Sequence, residues 1–445
     1  ILMIAEFASA NSENESGVHS WLESVLGPKW AFLGAWSYFF VNLFFFCSLL
    51  PNTLIYGSYA FLGQNVFQGN HSTKIIAVIS ILLFWLMTWV CIKGVSWISK
   101  VTSLAGGARL FMGVAFVVLA FVVVFGFGNE PAQEFTTTSI IPTFNWTFFM
   151  TMAWILQAVG GGESIGVYIK DVKGGNKTFV RTMIGATIAV GIMYILGAVA
   201  VGLVVPTDVL KGNFSNGIFD IFKILGTYFH IPAAMMVRLV GIILFVGSLG
   251  SLALWTAAPV KVFFSEIPDG VFGKWLVKTN EEGNPTNALL VQGIIVTILV
   301  AIPALGIGNM DSFLETLINM TASTSLVPVL FLLIAYIGLR WKKETMPRSF
   351  RFGNRTFGLI AGIFLLAIFI FVFFMSTVPD PKLIMEEING TLPKGTASPL
   401  GMLAYNIIGL IVFMGFAWIC WKRYETKEKN EVGKGEMDYE DLGKL

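Results

Sequence analysis

Apolar runs of about 20 residues recur along the chain, separated by shorter polar segments. A run of that length crosses the hydrocarbon core of a bilayer as an α-helix. Windows of this size place ten full spans, at roughly 30–62, 75–93, 97–127, 146–170, 178–205, 232–263, 287–305, 312–339, 355–378 and 401–421. The apolar fragment 1–9 reads as the last turns of an earlier helix. Several spans exceed the minimum, which predicts tilt or extension into the headgroup layer. The pattern therefore divides the chain into a membrane domain, 1–421, and a charged tail, 422–445.

Composition agrees. Charged residues make up 13% of the chain and hydrophobic residues 55%, against about 25% charged in soluble domains. The charges also sort by side. With the spans alternating in direction, 22 of the 29 Lys and Arg fall on one side and 5 on the other, leaving Arg109 and Arg238 inside helices. The positive-inside rule then places the 340–355 loop and the C-terminal tail in the cytoplasm. The formal net charge of +2 gives no reason to expect nucleic acid. Cys47, Cys91 and Cys420 all lie in apolar runs, so neither a disulfide framework nor a metal site is expected. No cofactor and no enzymatic chemistry are expected either. Residue 1 is Ile inside an apolar stretch, with no signal-peptide pattern before it.

Polar chemistry interrupts the apolar spans at a few places. Trp154-Ile-Leu-Gln157-Ala-Val-Gly160-Gly161-Gly162-Glu163 puts three glycines and an acid inside one span. Each glycine costs about 1 kcal/mol of helix propensity, so the three predict a break. Irregular backbone at membrane depth survives only where it lines a protein cavity. The ends of a broken helix offer free N–H groups on one side and free C=O groups on the other, which suit the carboxylate and ammonium of an amino acid. Glu163 is costly in lipid and is therefore expected to be functional. Packing through small residues explains the glycines but not the acid.

Three weaker signals follow. Gly247-Ser248-Leu-Gly250-Ser251 precedes Trp255-Thr256, where small residues permit close helix approach and Trp255 caps that face. Asn319-Met-Thr321-Ala-Ser323-Thr324-Ser325 ends near Pro328; its hydroxyls either line a polar path or bond their own backbone. Asn42 is an amide in the first full span. Arg109 remains protonated and needs a carboxylate, backbone carbonyls, a water-filled cavity or a place at the membrane boundary.

These residues, in this order, resemble the amino acid–polyamine–organocation superfamily, and within it bacterial glutamate/γ-aminobutyrate-type antiporters and related permeases. The likeness rests on Ala5-Glu6, Gly17-Val18-His19-Ser20-Trp21 and Leu26-Gly27-Pro28-Lys29-Trp30. Further on it rests on Gly161-Gly162-Glu163, on Gly250-Ser251 through Trp255-Thr256, and on Asn284-Pro285-Thr286-Asn287-Ala288. The resemblance implies an all-α polytopic fold of the LeuT-like type, two inverted five-helix repeats plus two helices. It counts the fragment 1–9 as the end of the second helix, so the chain is expected to lack the first helix and most of the second. It also implies that Trp255 lines the substrate site, and that Arg109 stands where sodium-coupled relatives hold a cation. Gln157 departs from the aromatic gate of arginine/agmatine antiporters.

The expected function is secondary active transport of amino acids or their decarboxylated amines in the cell membrane, by antiport or proton symport. Gly160, Gly161, Gly162, Glu163, Gln157, Trp255, Asn42, Thr321 and Ser323 are the expected substrate contacts, with Glu163 and Arg109 as coupling groups. An inactive fragment of such a permease, or a membrane-embedded amino-acid sensor, is the alternative reading.

Overall fold

The computed structural model describes residues 2–11, 17–69, 71–93, 98–136, 141–160, 174–268, 270–281, 285–307, 309–393 and 398–442. Among the described residues it is a helical bundle. A short helix α1 (Leu2–Ala10) and an amphipathic helix α2 (Val18–Leu26) lead into the long α3 (Pro28–Leu62). Then come α4 (Ser72–Lys93), α5 (Ile98–Phe121, continued by one π turn), α6 (Trp146–Ala158), α7 (Gly175–Val204) and α8 (Gly217–Tyr228). The chain goes on through α9 (Ala233–Glu266), α10 (Thr286–Gly306), α11 (Met310–Lys342), α12 (Arg355–Thr377), α13 (Pro381–Ile388) and α14 (Pro399–Leu442).

Nine helices among the described residues are long and apolar enough to cross a membrane. They correspond to nine of the ten spans read from the sequence. The tenth is represented by α6, which ends at Ala158, just before residues 161–173 that lie outside the described residues. The helical stub expected at 1–9 is α1.

Burial sets the order from centre to rim. The apolar window of α3 is 78% buried, whereas that of α14 is 11% buried. Helix α3 therefore forms the bundle axis, and α14 meets lipid. In lipid, helices associate by close packing rather than by a hydrophobic gradient, and α3 meets α9 through small residues. A Cβ on Gly241 would stand 2.6 Å from the Ala60 backbone nitrogen, so only glycine allows this approach. Aromatic rings fill the basic end of the same core, where Phe39 and Phe263 stack at 5.1 Å.

The Lys/Arg-rich end is fastened by charge. Glu6 on α1 and Arg340 on α11 are both fully buried. Glu6 Oε2 accepts from Arg340 at 2.8 Å, from the Tyr336 hydroxyl at 2.9 Å and from the Phe352 N–H at 3.0 Å. Its Oε1 accepts from Arg348 at 2.8 Å. Arg340 also donates to the Phe352 carbonyl at 2.8 Å, and Arg348 reaches Glu344 at 3.3 Å. One carboxylate thus draws two arginines and a backbone amide together, binding α1 to α11 and to the 343–354 loop. Buried charges are tolerated only when paired in this way.

Candidate functional site

Asn42, Gln157, Gly160 and Trp255, four of the residues singled out within the apolar spans, converge where α3, α6, α9 and α11 meet. A cavity of about 230 Å³ lies there. Helix α3 contributes Tyr38, Val41, Asn42 and Phe45, and α6 contributes Leu156 and Gln157, with Gly160 just beyond its end. Trp255 comes from α9, and Ser325 and Pro328 from α11. The α3 residues sit at i, i+3, i+4 and i+7, which is one face of a helix.

Each wall has a local reason. Asn145 caps α6 by accepting from the Phe148 N–H at 2.8 Å. The helix ends where the glycines start: the Val159 N–H closes a last bond to Ile155 at 3.1 Å, and the Gly160 N–H turns back to Gln157 at 3.1 Å. A Cβ at Gly160 would stand 3.1 Å from the Gln157 carbonyl oxygen, so glycine suits this turn. Pro328 has no N–H to give the Thr324 carbonyl one turn back, leaving a carbonyl of α11 without its helical donor near the cavity. The Trp255 ring meets Phe45 edge-on at 5.9 Å. Asn42 donates to the Tyr38 carbonyl at 3.0 Å, within its own helix.

Four expected substrate contacts, Asn42, Gln157, Gly160 and Trp255, therefore line one cavity. Gly161, Gly162 and Glu163 lie outside the described residues. Thr321 and Ser323 stand elsewhere. Both are almost fully buried, and neither is among the lining residues. The Thr321 hydroxyl shares its one proton between the Leu317 carbonyl at 2.7 Å and the Phe44 carbonyl at 2.9 Å. The Ser323 hydroxyl donates to Asn319 and to Ser376, both at 2.9 Å. Each satisfies its own helix and reaches one neighbour, which makes them fasteners of α11 to α3 and α12.

Arg109 on α5 finds carbonyl and hydroxyl partners on α9. Its guanidinium donates to Ser248 at 2.8 Å, to the Leu244 carbonyl at 3.2 Å and to Ser251 at 3.3 Å. Gly247 leaves the space this group fills. The small-residue face of α9 thus receives an arginine one turn away from Trp255.

Sequence reasoning passed over Tyr38 and Phe45 on the cavity wall, and named Ser325 only within the hydroxyl-rich run of α11. Their common face with Asn42 was the signal available for the first two. It also passed over the bond from Trp154 Nε1 to Asn319 Oδ1 at 2.7 Å, which ties α6 to α11. Among the described residues no group of three metal-ligating side chains exists. The three cysteines are free thiols.

With this geometry in place, the likeness to known proteins can be stated. A family model described as amino acid permease matches residues 1–393. The aspartate/glutamate permease AcaP of Lactococcus lactis subsp. cremoris is 27% identical over 366 residues, which cover 81% of this chain and 75% of that protein. A glutamate/gamma-aminobutyrate antiporter of Lactococcus lactis subsp. lactis is 25% identical over 441 residues, covering 96% of this chain and 82% of the antiporter. An uncharacterized transporter of Legionella pneumophila is 23% identical, with 96% of this chain and 88% of that protein covered.

Proposed function

Because the chain belongs to the amino acid permease family, we propose that it is a secondary carrier of amino acids or their decarboxylated amines. It works by antiport or proton symport, through alternating access to a mid-membrane site. The supporting observation is the convergence of Asn42, Gln157, Gly160 and Trp255 on one cavity inside the bundle.

The chemistry of the walls fits a zwitterion. A helix C-terminus carries partial negative charge, and α6 ends beside the cavity at Ala158. Together with the Thr324 carbonyl it forms a cradle for the ammonium group. The amides of Asn42 and Gln157, the hydroxyl of Tyr38 and the backbone of Gly161 and Gly162 serve the carboxylate. Trp255 and Phe45 form an apolar wall for the side chain. Glu163 follows the helix end and is the proton-coupling group. Arg109 places a fixed positive charge between α5 and α9, which suits a carrier that does not use sodium. The Lys/Arg-rich end, with the 340–355 loop and the tail, faces the cytoplasm. The aspartate, glutamate and γ-aminobutyrate named for the relatives are the first substrates to try.

The test is uptake of labelled glutamate, aspartate and γ-aminobutyrate into proteoliposomes holding the whole chain, across a range of pH. Saturable uptake that rises with an imposed proton gradient or with a counter-substrate is expected. Glu163→Gln should flatten the pH profile. If the profile of Glu163→Gln matches the parent, Glu163 is not the coupling group. If no amino acid or amine shows saturable uptake, the carrier reading fails.

A further inference from the structure

On the opposite face of α3 from the substrate cavity, a second and larger cavity opens between α3, α10 and α14. Its volume is about 770 Å³. Trp36 and Phe39 form one wall, Ile295 and Ile302 another, and Ala404 and Val412 a third. Gln292 is almost the only amide in a lining otherwise dominated by aliphatic and aromatic side chains. Along α10 the lining runs from Ala288 to Ile302, and along α14 from Gly401 to Phe416. At 1.5 Å per residue each stretch is roughly 20 Å long, about two-thirds of a hydrocarbon core of about 30 Å. The groove is thus a slot running along the membrane normal on the side of the bundle where α14 meets lipid.

We propose that this slot is a binding site for an anionic glycerophospholipid, with an acyl chain lying in the groove and the phosphate at its Lys/Arg-rich end. Apolar lining alone does not select a ligand, because lipid tails are as apolar as the wall. Selection comes from the rim. Leu276 lines the cavity, and Lys274 and the exposed Trp275 stand just before it in a short turn, Lys274–Val277. The turn itself packs on α10, and the residues just before it reach α14, where the Phe272 and Phe416 rings stack at 6.3 Å and Gly270 faces the Tyr424 ring. Arg423 lies seven residues after Phe416 on the same helix, and so on the same face. Lys274 and Lys278 flank the turn and Arg423 lies next to Tyr424, so these cations stand on the elements that bound one end of the slot, beside a tryptophan suited to that layer. Basic pockets between membrane helices attract acidic headgroups.

The same charges argue against a second copy of the chain as occupant. A two-fold axis along the membrane normal presents the same patch from both subunits. That would set these cations against their own images.

Incubate the detergent-purified chain with dioleoyl phosphatidylglycerol or dioleoyl phosphatidylcholine at equal concentration, and read retained lipid by native mass spectrometry. One phosphatidylglycerol per chain is expected, favoured over phosphatidylcholine by ten-fold or more. Lys274→Gln with Arg423→Gln should bring that preference close to parity. Ala404→Trp, which fills the slot without touching a charge, should reduce retention of both lipids. Equal retention of the two lipids by the parent would overturn the proposal. So would undiminished phosphatidylglycerol binding by Ala404→Trp, or a lipid-free dimer that Ala404→Trp converts to monomer.

Discussion

Two polar regions sit within this apolar bundle, and they are built in opposite ways. At the Lys/Arg-rich end, Glu6 is surrounded by four donors from Arg340, Arg348, Tyr336 and Phe352, so both of its oxygens are engaged. In the cavity between α3, α6, α9 and α11, neutral amides, a hydroxyl and an indole face open space. A carboxylate held by four donors fixes its neighbours in one arrangement. Polar groups left facing a cavity remain available to a ligand. The contrast gives fastening to the first region and, on the proposed function, recognition to the second, although among the described residues full charges are found only in the first.

The sharpest way to break this comparison is to remove one partner of the buried network. Glu6→Gln leaves Arg340 and Arg348 buried without their carboxylate. Losing one member of a buried pair typically costs about 3–5 kcal/mol. Thermal unfolding in detergent should fall strongly, while uptake per folded molecule stays near that of the parent. If stability is unchanged and uptake is lost, the roles of the two regions are reversed.

The cavity supplies the converse test, with a smaller effect on stability. Trp255 touches Phe45 edge-on and lines open space, so Trp255→Ala removes a wall more than a keystone. A contact of this kind is worth about 1–3 kcal/mol to a bound ligand, roughly ten- to a hundred-fold in apparent affinity. The expected outcome is a raised KM for uptake with a melting temperature close to the parent's. A variant that unfolds with no change in KM would make Trp255 a packing residue.

The two regions also differed in how legible they were. The spans were readable because lipid demands long apolar runs and the bundle obeys that demand. Asn42, Gln157, Gly160 and Trp255 stood out because each is unusual within such a run. Thr321 and Ser323 looked equally polar, but a helical hydroxyl can bond the carbonyl four residues back, and both do so. The sequence shows the hydroxyl but not its direction. The Glu6 network was harder still. Its members are 334 and 342 residues apart, and no periodicity links positions so distant. The usable signal was one acid beside Ala5 in an apolar segment, a costly placement that calls for a partner. It entered the sequence reading only as part of a family likeness.

The smallest expected effect lies beside the fastened end, at a buried imidazole. His19 on α2 is buried, and its Nε2 has no hydrogen-bond partner. Its Nδ1 lies 3.7 Å from Glu23. Burial holds the imidazole below the ordinary histidine value, and Glu23 pulls partly the other way. An unfolded histidine titrates near 6.5, so as pH drops below that value the unfolded chain takes up the proton more readily than the folded one. Stability contributed by neutral His19 is therefore present above pH of about 6.5 and is lost as pH falls through the folded value. Helix α2 packs against both α3 and α11, so the loss should appear in the unfolding of the whole bundle. Comparing melting temperatures at pH 7.5 and 5.5, the parent should lose a few degrees more than His19→Gln, since carboxylates elsewhere titrate alike in both. An equal loss in the two proteins would show that His19 does not carry the acid sensitivity of this end.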